Sequence, residues 1–371
     1  MEPKMMKLGG SLEVPCVQEL AKEPLTTVPP RYVRSDQDPP FISNTTSLPQ
    51  FPVINFHTLL SAGTSMDSEL QKMHSACKEW GFFQLINHGV SSSLMEKVKI
   101  EIQEFFRLPI EEKKKYSQEP GDLEGFGQAF VVSEEQKLDW ADLFYMVSLP
   151  THLRKPHLFP KLPLPFRDTM EEYSAELKSL AMKILFLMAK PLKMKAEDIS
   201  DLFEEGMQSM RMNYYPPCPQ PELVIGLNPH SDSVGFTILL QLNEMEGLQV
   251  KKDGMWVPVK PLPDAFIVNI GDILEIVTNG MYRSVEHRAT VNSEKERLSI
   301  AAFLSPKLEG DLGPAPSLIT PETPESFKRV GVADYFRGFF SRELRGKSYI
   351  DVMRIQSHEE DPSKHLAPPK N

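Results

Sequence analysis

Residues 230–242 read His230-Ser231-Asp232-Ser233-Val234-Gly235-Phe236-Thr237-Ile238-Leu239-Leu240-Gln241-Leu242. The second half is a β-rich run. Small residues before it mark a turn, and ahead of the turn a histidine and an aspartate stand two positions apart. On an extended strand such residues project to one face, so both side chains can reach one ion. Six more short β-rich runs surround this one, at residues 212–215, 223–227, 248–251, 266–270, 285–291 and 298–304. Asp253-Gly254 and Asn279-Gly280 read as hairpin dipeptides, because such turns need positive φ, which glycine adopts without strain. Many short strands at this spacing imply a sandwich, a barrel or a jelly roll.

Outward from this region the pattern becomes helical. The longest helix carries Met170, Tyr173, Leu177, Leu180, Ile184, Leu187 and Met188 as an apolar stripe that packs on a sheet. A second starts near Ser92 and presents Leu94, Val98, Ile102 and Phe105. A third, with Asp67 as its cap, presents Leu70, Met73 and Cys77. Residues 51–56 and 81–86 read as strands, the latter closed by Asn87-His88-Gly89. Residues 1–50 are proline-rich and polar, an arm on the surface with one short helix around residues 17–21. Residues 332–354 read as one or two helices, and the polar stretch from 357 as a disordered tail. No internal repeat is visible.

Composition narrows the function. The chain has 371 residues and a formal net charge of −10. No basic stripe of the kind that tracks phosphates is present, which argues against nucleic acid as a partner. The run Glu111-Glu112-Lys113-Lys114-Lys115 is mixed in sign and reads as a solvated helix face. Cys16, Cys77 and Cys218 are far apart and odd in number, neither a disulfide framework nor a zinc spacing. With no apolar leader and no run of about 20 apolar residues, the expectation is a cytoplasmic protein in a reducing compartment, without a membrane partner.

The His230-Ser231-Asp232 step gains its weight from His287, in another expected strand. Two imidazoles and one carboxylate are the ligand set that holds a non-haem iron while leaving positions open. Arg297 and Ser299 repeat the two-residue step. A guanidinium beside a hydroxyl can grip a carboxylate through a fork plus one further bond. Tyr215, in Asn213-Tyr214-Tyr215-Pro216-Pro217-Cys218, can donate to the far end of the same anion. Read singly, each histidine is also compatible with a satisfied core residue, Asp232 with a turn, Tyr215 with the core, and Arg297 with an internal salt bridge. Glu294 and Glu296 look loop-exposed and make poor buried partners for it.

These residues resemble the plant 2-oxoglutarate- and iron(II)-dependent dioxygenases. The likeness spans residues 50 to 355 through Trp80-Gly81-Phe82-Phe83-Gln84, Asn87-His88-Gly89, Met212 to Cys218, and Gly271-Asp272 before Asn279-Gly280. Glu124-Gly125-Phe126-Gly127-Gln128 and Leu138-Asp139-Trp140-Ala141-Asp142 look like the senescence-related branch, which also contains codeine and thebaine O-demethylases. The resemblance implies an α+β, mainly β fold, a distorted double-stranded β-helix flanked by N-terminal and long central helices. It divides the chain into a surface arm (1–50), an N-terminal α/β region (51–205), the jelly-roll core (206–310), a C-terminal helical region (311–356) and the tail (357–371).

It further implies Fe(II) on His230, Asp232 and His287, and 2-oxoglutarate on Arg297 and Ser299 with Asn213 and Tyr215 helping. Leu143, Tyr145, Phe303 and the C-terminal helix would face the substrate, and ascorbate would serve as reductant. The implied reaction hydroxylates or O-demethylates a small, largely apolar or aromatic specialised metabolite, in a monomer, while 2-oxoglutarate and O2 become succinate and CO2. The chain departs from many relatives at Leu304, where they carry a histidine after the phenylalanine; an apolar residue there would make any pocket wall it reaches greasier. Two other readings stand beside this one: an iron oxidase or lyase of the same fold that uses no 2-oxoglutarate, and a binding protein whose metal is structural. The latter needs a fourth protein ligand, and none is suitably placed near the motif; His88 lies in a glycine-flanked turn and reads as structural.

Overall fold

The computed structural model describes residues 10–23, 25–35, 49–128, 130–342 and 346–355. Its helices are α1 (Val17–Leu20), α2 (Phe56–Leu59), α3 (Thr64–Glu79), α4 (Ser92–Arg107), α5 (Ile110–Lys113), α6 (Leu164–Leu192), α7 (Ala196–Phe203), α8 (Asp272–Val277), α9 (Val332–Phe340) and α10 (Ser348–Met353). Its principal strands are β1 (Val53–Asn55), β2 (Phe82–Ile86), β3 (Gly125–Gly127), β4 (Asp142–Leu149), β5 (Gln208–Tyr215), β6 (Leu227–His230), β7 (Phe236–Gln241), β8 (Leu248–Lys252), β9 (Met255–Pro258), β10 (Phe266–Ile270), β11 (His287–Ala289) and β12 (Arg297–Leu304).

Two sheets face each other in a distorted jelly roll. The larger runs β1-β2-β10-β7-β12-β5-β4-β3 and the smaller β6-β11-β8-β9. Strand alternation in the larger sheet separates scaffold from site. On β12, Leu298, Ile300, Ala302 and Leu304 join the main apolar core, while Arg297, Ser299, Ala301 and Phe303 line the space between the sheets. On β5, Met210, Met212 and Tyr214 join the core, and Arg211, Asn213 and Tyr215 turn inward. The outer face of this sheet is covered by α6, whose expected stripe from Met170 to Met188 is buried throughout. Each large side chain removed from water there contributes about 1.5–3 kcal/mol, an upper figure given a compact unfolded chain. Pro165 sits in the first turn of α6, where its missing N–H leaves nothing unbonded, and Lys193 ends the helix in the left-handed region.

The structure corrects several local expectations. Asn279-Gly280 makes no hairpin. Both residues have positive φ, but they cap α8: Asn279 N donates to Ile276 O and Gly280 N to Glu275 O. The same left-handed geometry serves a helix end and a hairpin, so the dipeptide alone cannot tell them apart. Asp253-Gly254 does turn β8 into β9. Residues 223–227 are not a strand: Pro221 opens a 3-10 turn, Val224 and Ile225 are buried, and the ladder starts at Leu227. Asp67 lies within the first turn of α3, whose cap is Gly63. Strands β3, β4 and β9 add to the expected set.

The described part of the N-terminal arm, residues 10–23 and 25–35, is docked rather than laid on the surface. Val17, Val28 and Tyr32 pack with Trp140, Tyr215 and Val224 in a second apolar cluster. Asp142 of β4 accepts from the α1 amides of Val17 (2.9 Å) and Gln18 (2.7 Å) and from the Cys16 thiol, a tertiary substitute for a local helix cap. The expected tail lies outside the described residues. Among the described residues, no helix is long and apolar enough to cross a membrane.

Candidate functional site

Antiparallel pairing of β6 with β11 sets His287 opposite His230, which closes the 57-residue gap between them. Asp232 follows β6 in a loop that α8 pins from below. Asp272 N donates to Asp232 O (2.7 Å), Gly271 N to Gly235 O and Ile273 N to Val234 O. A side chain at 271 would press on the Val234 carbonyl at 2.1 Å, so Gly271 permits this approach. Asp272 also accepts from Ser231 Oγ, between the two ligand candidates.

The candidate ligand atoms of His230, Asp232 and His287 all lie within 4.8 Å of one another. Asp232 Oδ1 is 3.5 Å from His230 Nε2 and 3.6 Å from His287 Nε2. The remaining polar atoms of the three are already engaged. His230 Nδ1 meets Asn228 O at 2.7 Å and His287 Nδ1 meets Val285 O at 3.2 Å, contacts that set Nδ1 as the protonated nitrogen and leave the Nε2 lone pairs free. Asp232 Oδ2 accepts from Thr237 Oγ1 (2.6 Å) and Asn269 Nδ2 (2.8 Å), which leaves Oδ1 open. Burial opposes the Asp232 charge, but the neighbouring imidazoles of His287 and His230 and the Thr237 hydroxyl hold its carboxyl well below the usual range. Burial, then the proximity of His230, pushes His287 down to about 4, so its imidazole stays neutral. Among the described residues, no fourth His, Cys, Asp or Glu joins the group. Such a donor set fits a divalent metal with open positions and not a closed structural site.

One side of the triad opens on a cavity lined by Asn213, Tyr215, Arg297 and Ser299. Register places Ser299 opposite Asn213 and Arg297 opposite Tyr215. Asn213 Nδ2 donates to Ser299 Oγ (3.4 Å), Arg297 lies 5.1 Å from the Tyr215 ring, and Arg297 Nη2 donates to the amide oxygen of Gln241 (3.2 Å). Arg297 is 2% exposed, makes no ion pair among the described residues, and its Nε has no hydrogen-bond partner. Burial lowers its proton affinity, opposed by Tyr215. A buried cation without a counter-ion is a standing demand for an anion. Glu296, a poor partner on sequence grounds, accepts from Tyr214 instead.

The other side opens on a cleft in which Leu143, Tyr145 and Phe303 stand with His230 and Asp232. Burial pushes the Tyr145 phenol up to about 12 against a hydrogen bond from Ser209, so it stays protonated. The resemblance named the C-terminal helix without its residues, which are Phe336, Phe339 and Phe340 of α9; Arg211 and Phe130, which line the same cleft, were missed. A signal existed for two of these groups: Arg211 shares the strand face of Asn213, and the phenylalanines recur at three- and four-residue spacing. Phe130 carried none; it arrives by stacking on Phe340 (5.8 Å) and edge-on to Phe339 (5.7 Å). Leu304 does not reach the cleft, since its side chain points into the core and Ser305 takes the wall position. His88 stands apart from the triad, bonded to Asp264 O (3.0 Å) and packed on Phe266.

Residues 206–306 match the 2OG-Fe(II) oxygenase superfamily, and residues 51–162 match the N-terminal region of non-haem dioxygenases in morphine synthesis. The chain is 64% identical over 353 residues to oxoglutarate-dependent flavonoid 7-O-demethylase 1 of Ocimum basilicum, covering 94% of this chain and 93% of that protein. It is 56% identical over 357 residues to codeine O-demethylase of Papaver somniferum, covering 95% and 99%. Among solved structures, that of JOX2 in complex with 2OG, Fe and JA superposes with a TM-score of 0.85 at 36% identity, over 93% of this chain and 99% of that one.

Proposed function

Because the chain belongs to the 2OG-Fe(II) oxygenase superfamily and is a dioxygenase using Fe(II) and 2-oxoglutarate, we propose that it removes a methyl group from an O-methylated aromatic specialised metabolite. On this reading His230, Asp232 and His287 hold the iron. Arg297 and Ser299 hold the distal carboxylate of 2-oxoglutarate, helped by Asn213 and Tyr215. Leu143, Tyr145 and Phe303 face the substrate. Residues 51–205 act as scaffold, 206–310 as the catalytic core and 311–356 as the outer wall of the cleft. The single observation that carries the reading is the placement of three convergent candidate ligand atoms between a cationic cavity and an apolar cleft.

Iron(II) held there would supply, with 2-oxoglutarate and O2, the oxidising chemistry that adds one oxygen atom to the substrate and leaves the other in succinate. Everything else falls to the side chains. The carbonyls of Asn228 and Val285 fix the two imidazoles, and Thr237 and Asn269 hold the carboxylate by Oδ2, so that Oδ1 is the oxygen that would hold the metal. Arg297 and Ser299 set the cosubstrate's reach from the far end. The phenylalanines of α9 and Phe130 keep water from the cleft. Hydroxylation of an O-methyl carbon gives an unstable hemiacetal that collapses to a hydroxyl compound and formaldehyde. The balance is one methyl ether, one 2-oxoglutarate and one O2 to one hydroxyl product, formaldehyde, succinate and CO2. Methyl-ether substrates are favoured because the flavonoid and codeine demethylases are similar along nearly their whole length.

The proposed setting is a cytoplasmic monomer. Cys16, Cys77 and Cys218 are all free thiols, as suits a reducing compartment. The test supplies Fe(II), ascorbate and 2-oxoglutarate in air with a panel of methoxylated flavonoids and alkaloids. Formaldehyde, succinate and demethylated product should form in equal amounts for at least one compound. Succinate and product without formaldehyde would replace demethylation by plain hydroxylation.

A further inference from the structure

Arg211 sits on β5 opposite Tyr145 of β4 and Ala301 of β12 and faces inward. It lines the apolar cleft and also the edge of the cosubstrate cavity. Its Nε is shielded from solvent and has no hydrogen-bond partner, and among the described residues its guanidinium enters no ion pair. The acid in its electrostatic reach, Asp139, is engaged elsewhere: it pairs with Arg34 Nη2 at 3.0 Å and accepts from Asn228 N at 3.3 Å. Leu143, Phe303, Phe336 and Phe339 on the cleft wall offer no acceptor side chain; Ser209 and Asp232 share the wall, but among the described residues neither is hydrogen-bonded or ion-paired to Arg211, and Asp232 Oδ2 is taken by Thr237 and Asn269. The Tyr145 phenol is kept protonated by burial and is engaged by Ser209. A cation with unused donors in a surface of this kind calls for an oxygen from the ligand.

That oxygen belongs to the substrate rather than the cosubstrate. Register puts Ser299 opposite Asn213 and Ala301 opposite Arg211, so Arg211 is one inward-facing position farther along the strand. Such a step is roughly 7 Å, directed from the anion cavity toward the cleft.

We propose that Arg211 is the substrate-selecting cation, pairing with an acidic oxygen, a phenol or a carboxylate, on the aromatic molecule seated in the cleft. This rests on the dioxygenase reading above and adds to it the class of substrate. The bond holds one end of the molecule at the β4–β5 wall and leaves the carbon to be oxidised toward the triad. Low local polarity makes such a charge-assisted bond strong and directional.

Three probes test it: a methoxyflavone with one free phenol, the same compound with that phenol methylated, and the same scaffold with a carboxylate in its place. Each is titrated without oxygen into protein loaded with Fe(II) and 2-oxoglutarate, and binding is read from the probe's own absorbance. The free-phenol probe should show the phenolate band on binding at a pH below its solution transition. Arg211→Gln should abolish that band and weaken the phenol and carboxylate probes roughly 10- to 100-fold, with the methylated probe changed far less; Arg211→Lys should restore part of the loss. Which acidic probe binds more tightly identifies the source of the oxygen.

The wild-type protein alone can overturn the proposal, by binding the free and methylated phenols equally with no phenolate band. Equal weakening of all probes in Arg211→Gln would reduce Arg211 to a wall residue. Selective loss of 2-oxoglutarate affinity would give it to the cosubstrate. Either result sinks the proposal. Succinate release in air is read separately: its absence beside an intact phenolate band sinks the dioxygenase reading and leaves the Arg211 assignment standing.

Discussion

Asp232 divides its two oxygens between support and function. Oδ2 is held by Thr237 and Asn269, and Oδ1 faces the two Nε2 atoms. Arg297 is the complementary case, a buried cation whose Nε is left without a protein partner. Arg297→Gln should therefore raise the 2-oxoglutarate KM at least tenfold, because a charge-assisted bond contributes about 1.5–3 kcal/mol; an unchanged KM in steady-state assays would remove Arg297 from the anchor role. His287 makes a prediction about pH. Its folded value near 4 lies below the ordinary 6.5. The unfolded chain then takes up the proton first, and stability of the metal-free protein falls as pH drops from about 6.5 to about 4. Melting curves of metal-free wild type should decline more steeply across that window than those of His287→Gln. Parallel curves would mean that His287 is not held neutral.

At the scale of elements, the site is joined to the C-terminal helices through α8. Glu275 of α8 is 3% exposed and receives Lys347 at 2.7 Å, Arg354 at 2.8 Å and the Ser284 amide at 2.7 Å. Gly346 N donates to Pro229 O, and Ser231 N to Gly346 O, so the chain just before α10 is bonded to the strand that carries His230. One acid thus fastens α10 to α8, while α9 supplies cleft phenylalanines from the same C-terminal region. Removing Glu275 takes the shared acceptor from Lys347 and Arg354, whose side chains are 26% and 43% exposed and can turn to water. Glu275→Ala should lower stability by roughly 1.5–3 kcal/mol in urea unfolding and raise the succinate-to-product ratio as the cleft loosens. A variant with wild-type stability and coupling would show that Lys347 and Arg354 do not fasten the helices.

At the scale of the whole molecule, the apolar core and the candidate centre occupy opposite faces of the large sheet. The fold should therefore survive without its metal. Chelation should abolish turnover while far-UV circular dichroism persists, and iron plus 2-oxoglutarate at a hundred times their dissociation constants should add about 2.7 kcal/mol for each independent site. Collapse of the dichroism on chelation would mean that the metal holds the fold together. Much of this organisation was legible in the chain: alternation on β12 and β5, the stripe of α6, and the side chains that meet at the triad and at Arg297. The strand β4 was not read, although its inward residues Leu143 and Tyr145 were named through resemblance. Asn279-Gly280 was misread because positive φ at two residues does not say which element they end. Arg211 and Phe130 escaped because a side chain's lack of partners, or its contact with another segment, exists only once distant strands and helices are assembled. The sequence by itself determined which faces are apolar and which residue types can bind metal and anion, since periodicity and donor chemistry are local properties. Only the tertiary structure decided that Nε2, Nε2 and Oδ1 converge between two cavities, because that depends on strand register and on hydrogen bonds that consume every competing atom.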